Sequence, residues 1–118
     1  MKRMKTSVRF RLYKEARREM ARAYPSAFPT RGRRPPLKVG ILRDILDDGS
    51  HGLTSGRVRI FLAIWTRSTS YLRSVAMRRE RKGLFGDPAG AVAESHAAEA
   101  VAELAGRKAR SARFDIAA

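Results

Sequence analysis

The chain has 118 residues, enough for one domain around one modest core. Its 26 Lys and Arg stand against 11 Asp and Glu, a formal net charge of +15 that predicts strong attraction to polyanions. Cysteine is absent, which excludes disulfides and thiolate metal sites and fits a reducing compartment, so a cytoplasmic location is expected. No apolar run reaches transmembrane length, and the basic start lacks the continuous apolar segment of a secretory signal. An Arg-rich amphipathic transit peptide over residues 4–24 is the alternative reading of that start.

Residues 5–23 read as a helix, with Val8, Leu12, Ala16 and Met20 recurring at i+4, Tyr13 beside them and cations on the remaining surface. A solvated charged face is the plain reading, but the setting favours a face turned toward phosphates. Residues 24–36 form a connector broken by Pro25, Pro29, Pro35 and Pro36, with Arg31, Arg33 and Arg34 around Gly32 and Phe28 as its anchor in the core. A short helix is predicted over 37–46, burying Val39, Ile41, Leu42, Ile45 and Leu46, and it ends at Asp48-Gly49-Ser50 and Gly52.

The most regular stretch follows. Val58, Phe61, Leu62 and Trp65 make the i, i+3, i+4, i+7 stripe of a helix that buries one face. Thr54 is a good N-cap, and Leu53 with Val58 fits a hydrophobic staple. Free N–H groups at Thr54 and Ser55, with Arg57 and Arg59 beside them, suit a phosphate. After a break at 66–70, Tyr71, Leu72 and Val75 pack a further helix. Arg78, Arg79, Arg81 and Lys82 form a second basic cluster. Leu84-Phe85, the turn at 86–90 and Ala91-Val92 read as a small β-hairpin. Residues 93–106 are helical, with His96, Ala97, Ala100, Val101 and Leu104 on one face, and a basic tail over 107–118 is expected to fray.

Charge is concentrated at the front: residues 1–38 carry 13 basic and 2 acidic side chains, residues 39–82 carry 9 and 4, and residues 83–118 carry 4 and 5. Of the basic residues 20 are Arg, whose planar fork matches phosphate oxygens. Asn and Gln, the usual readers of adenine edges, are absent, which leaves backbone and shape to be recognised.

The ordered set Tyr24-Pro25-x-x-Phe28, Pro36-Leu37-Lys38-Val39-Gly40-Ile41 with Asp44, Leu53-Thr54 opening a helix, and Thr66 followed by Tyr71-Leu72 resembles the ProQ/FinO domain of bacterial RNA chaperones. Arg81-x-x-Leu84-x-Gly86, Gly90 and His96-x-x-x-Ala100 extend the resemblance over residues 15–106, after a basic extension at 1–14 that starts the first helix. The resemblance implies a compact, mainly α fold (α+β) with a small β-hairpin. It also implies a non-enzymatic, cofactor-free, monomeric RNA chaperone that recognises a hairpin base and its single-stranded 3′ end. Such a protein acts in post-transcriptional regulation, on small RNAs, mRNA 3′ ends and terminator hairpins, by promoting pairing or shielding 3′ ends.

Carried over by position, the RNA-binding candidates are Lys38, Arg59, Tyr71 and Arg81 with the helix start at Thr54 and Ser55, and local charge adds Arg34, Arg57 and Lys82. Ala63 and Ser70 stand where relatives often place cations, while Arg43, Arg57 and Arg67 add charge nearby. Chemically, Lys38 and Arg59 would neutralise phosphates, Arg81 would do so or stack on a base, and Tyr71 offers a flat face and a hydroxyl. The plainer alternatives place Tyr71 and Trp65 in the core, Asp44 in a cap or ion pair, and His96 in a structural hydrogen bond. Removing residues 1–14 is expected to lower affinity uniformly across RNAs, because phosphate contacts carry no sequence information. Two other classes compete: a helix-turn-helix DNA regulator built around residues 48–54, and a small nuclease using Asp44 or His96, against which stands the missing carboxylate constellation.

Overall fold

The computed structural model describes residues 4–117, within which five helices follow one another: α1 Thr6–Ala23, α2 Ile41–Asp48, α3 Ser55–Trp65, α4 Thr69–Ala76 and α5 Glu94–Ala117. α1 and α2 pack on α3, and α5 packs along α4. α1 buries Tyr13, Ala16 and Met20, a stripe rotated slightly from the one its i+4 spacing suggests, with Val8 and Leu12 half-covered at its edge. α3 contributes Val58, Phe61 and Trp65, all fully buried. Phe28 from the connector stands edge-on to Phe61 and Trp65, with ring centroids 5.0 and 5.3 Å away, and Tyr13 stacks on Phe61. Such aromatic pairs add specific geometry to area burial. No helix among the described residues is long and apolar enough to cross a membrane.

Several boundaries differ from those read in the sequence. α2 starts at Ile41 because Gly40 takes a left-handed backbone (φ 86°), which separates it from the preceding residues. Val39 is therefore 71% exposed and Leu46 also faces solvent, while Ile41 and Ile45 carry the buried face. Among the described residues the small β-hairpin does not form as a pair of strands. Lys82 instead forms one isolated parallel bridge with Leu37 and one antiparallel bridge with Pro88. A tight turn holds the return, with the Gly83 N–H bonded to Asp87 O at 2.8 Å. A Cβ on Gly83 would stand 2.5 Å from an Asp87 carboxylate oxygen, so a larger residue there would have to swing that exposed side chain aside. Proline can neither donate a ladder bond nor extend pairing there, and glycines at 83, 86 and 90 interrupt extended backbone.

The tail expected to fray continues as helix. Glu103 pairs with Arg107 at 2.9 Å and with Arg110 at 3.6 Å, and these i+4 and i+7 contacts cross the boundary placed at 106. Alanine and arginine also favour helix there. Among the described residues Ala97 and Ala100 are the buried ones of α5, small enough to let its backbone approach α4, whereas His96 and Val101 are exposed. Of the basic extension at 1–14, residues 1–3 lie outside the described residues, as does residue 118 of the tail. The rest of the extension is already α1 by Thr6.

Candidate functional site

Everything in the site is hung on the Leu37 peptide. Residues 36–38 run beside Lys82, with the Lys82 N–H donating to Pro36 O at 2.8 Å and the Lys38 N–H donating to Lys82 O at 2.9 Å. The remaining N–H and C=O of Leu37 go to side chains. The Tyr71 hydroxyl accepts the Leu37 N–H at 3.1 Å, and the Arg81 guanidinium donates to Leu37 O at 2.7 Å. A second nitrogen of Arg81 lies 3.1 Å from Nδ1 of His96 on α5. Arginine only donates, so Nδ1 is the acceptor in this contact. Tyr71 and Arg81 are 7% and 8% exposed, and together with His96 they line a cleft of about 400 Å³ between α4 and α5. Its α5 wall also carries Glu99 and Glu103.

Lys38 leaves this backbone toward solvent and pairs with Asp44 of α2 at 2.8 Å. The hydrogen bond and charge of Asp44 hold the Lys38 ammonium above its ordinary pKa, so it stays cationic at physiological pH. Lys82 pairs with Glu80 at 3.0 Å. The structure thus brings Lys38, Tyr71, Arg81 and Lys82 together around one segment.

The α3 candidates lie apart from that group. Thr54 caps α3 by accepting the Arg57 N–H at 3.3 Å, and Ser55 and Arg57 are exposed on its opening turn. Arg59 turns toward α2, where it lines a shallow cleft with Leu42, Arg43, Leu46 and Asp47. Arg34 sits at the opposite end of α3, about 16 Å along the helix from Thr54. Its guanidinium lies 3.7 Å over the Trp65 ring and donates to the Ser68 hydroxyl at 3.0 Å. Ser68 in turn caps α4 by accepting the Tyr71 N–H at 3.3 Å.

The two histidines and the acidic run have local structural duties. His51 is buried, accepts the Leu53 N–H on Nδ1 at 2.9 Å and reaches Ile45 O with Nε2 at 3.2 Å, closing the end of α2. Asp48 accepts hydrogen bonds from Ser50 and from the buried Tyr24 hydroxyl, tying the end of α1 to the end of α2. The Ser50 hydroxyl first, then Tyr24, holds the Asp48 carboxyl below its ordinary pKa. Burial first, then Asp48, raises the Tyr24 phenol. Among the described residues no three His, Asp or Glu side chains gather closely enough to hold a metal ion.

Sequence reasoning missed two features of the site. It treated Arg81 as a surface cation, although its neighbours Arg78 and Arg79 carry the same charge and only tertiary position distinguishes it. It also had no sign that Glu99 and Glu103 share the cleft with Tyr71, beyond their i+4 spacing on the helix that carries His96.

A small helical domain with a cation-rich surface and a side-chain clasp on an irregular segment is the class this geometry defines. Residues 11–115 match the model of the ProQ/FINO family, and the chain belongs to that family. Its fold is similar to a crystal structure from Neisseria meningitidis MC58 described as a FinO-like RNA chaperone. That likeness has a TM-score of 0.65 at 21% identity and covers 77% of this chain and 92% of the other.

Proposed function

We propose that this protein binds structured RNA as a chaperone, holding the base of a hairpin and the adjacent single-stranded 3′ end without covalent chemistry. The observation that carries the reading is the convergence of Tyr71 and Arg81 on Leu37. It presents a phenolic hydroxyl proton, unused guanidinium N–H groups and the Lys38 ammonium at one place on a chain of net charge +15. A-form RNA hides its major-groove edges, so a protein without Asn or Gln reads phosphate positions and a free end. Tyr71 gives its hydroxyl to a ribose or phosphate oxygen, and its buried ring is not an open platform for a base. Glu99 and Glu103 favour ribose hydroxyls over phosphates on the α5 side of the cleft, because a carboxylate accepts from hydroxyls and repels anions. Neutralising two strands at once lowers their repulsion and hastens pairing.

The deciding experiment is competition between a hairpin bearing a 3′ single-stranded tail and duplex DNA of equal length. The tailed hairpin should win, and a hairpin lacking the tail should bind more weakly. Preference for the DNA duplex would favour a helix-turn-helix use of α2 and α3 and overturn the RNA reading.

A further inference from the structure

A second cleft, of about 520 Å³, is larger than the one at Tyr71. It opens between α1 and the loop at residues 29–34, with Arg17, Arg18 and Arg22 on the helix side and Thr30 and Arg34 on the loop side. Its volume falls in the range of roughly 300–1,000 Å³ typical of ligand clefts. Four arginines line it and no carboxylate does. Arg22 is tied to Glu19 at 2.9 Å, but among the described residues Arg17, Arg18 and Arg34 pair with no acid. Like charges gathered in this way repel one another and cost stability unless an anion enters.

Arg34 is the fixed point of the cleft. Its stacking on Trp65 and its bond to Ser68 Oγ hold the guanidinium in one orientation, so little side-chain freedom is lost when its remaining N–H groups meet an oxygen. Arg17 and Arg18 are exposed and approach from the other wall. The same Ser68 hydroxyl caps the turn that carries Tyr71, and residues 34–38 lead directly from this cleft to Leu37. Three residues span at most about 11 Å, so the Arg34 backbone lies within that reach of the Leu37 peptide held by Tyr71 and Arg81.

We propose that this cleft is a second phosphate-binding subsite, in which Arg17, Arg18 and Arg34 grip the sugar–phosphate backbone of an RNA strand that continues beyond the Tyr71–Arg81 cleft. The proposal rests on the RNA-binding reading above and adds a separate place of contact to it. Thr30 and the fork-shaped guanidiniums supply hydrogen bonds to phosphate oxygens, and the apolar Ala21 and Pro29 offer nothing that reads a base edge. The contact is therefore independent of sequence.

The test uses the full chain and a tailed hairpin RNA, with binding measured across a range of salt concentrations. The double variant Arg17→Ala, Arg18→Ala is compared with Lys108→Ala, Arg113→Ala, which removes equal charge from exposed positions on α5. Each phosphate contact contributes a log–log salt slope of roughly 0.7–0.9, so the α1 variant should lose about 1.4–1.8 of slope. Its affinity should fall severalfold further than that of the α5 variant, and by the same factor for hairpins of unrelated sequence. A slope and affinity equal to those of the α5 variant would overturn the subsite and leave the RNA reading standing. Failure of the unaltered protein to bind the hairpin at all would overturn both.

Discussion

At Tyr71 the informative substitution removes one atom. Tyr71→Ala empties buried volume and should cost about 3–5 kcal/mol, as large-to-small aromatic changes in a core do, so it reports on folding before binding. Tyr71→Phe keeps the packing and leaves the Leu37 N–H without its acceptor, a loss of about 1–3 kcal/mol. The expected outcome is a folded protein with a lower melting temperature and a weakened grip on the tailed hairpin. Unchanged binding would assign Tyr71 to structure alone. At Asp48 the expected signature is a pH dependence. Its folded pKa lies below that of the unfolded chain, so its contribution is complete above about pH 4 and is lost as pH falls through the lowered native value. Asp48→Asn should flatten that acid limb in thermal melts recorded between pH 6 and pH 2, while the unaltered chain loses stability there.

The N-cap that Thr54 gives α3 was legible because a hydroxyl just before an apolar stripe has one obvious use. Thr54→Ala should lower stability by about 1 kcal/mol, measurable in chemical denaturation. Val58, Phe61 and Trp65 were legible for the same reason, since periodicity is a property of the element itself. What periodicity leaves open is how irregular segments meet. The burial of Arg81, the Leu37 clasp and the stacking of Arg34 on Trp65 each join residues far apart in the chain, and no local pattern encodes them. α2 shows the other limit: the apolar run at residues 37–46 hides a left-handed turn at Gly40, which throws Val39 outward and sets Lys38 against Asp44. Because that carboxylate competes with any phosphate for Lys38, Asp44→Asn should tighten RNA binding severalfold at low salt. Equal affinity would mean that Lys38 is not part of the interface.

On the scale of the whole molecule, the net charge of +15 is interrupted by an acidic cleft where Asp44, Asp47, Asp48 and Asp87 gather beside Leu84 and Phe85. The first helix cannot be treated as a detachable arm. Deleting residues 1–14 would remove Tyr13, which stacks on Phe61 in the core, and so would confound affinity with unfolding. Deleting residues 1–5 removes three basic residues and stops short of α1. That shorter deletion should lower affinity by a similar factor for every RNA while leaving the melting temperature unchanged. A loss confined to one RNA would mean that these residues recognise a particular shape.

Trp65 is the chain's single tryptophan, and a guanidinium from the basic loop covers its ring. The indole is thus a built-in optical gauge of that loop. An anion that meets the guanidinium stacked on the ring changes the charge beside the indole and with it the emission, with no dye attached. A titration followed at the fluorimeter would report occupancy at one end of α3 while ignoring events at the other.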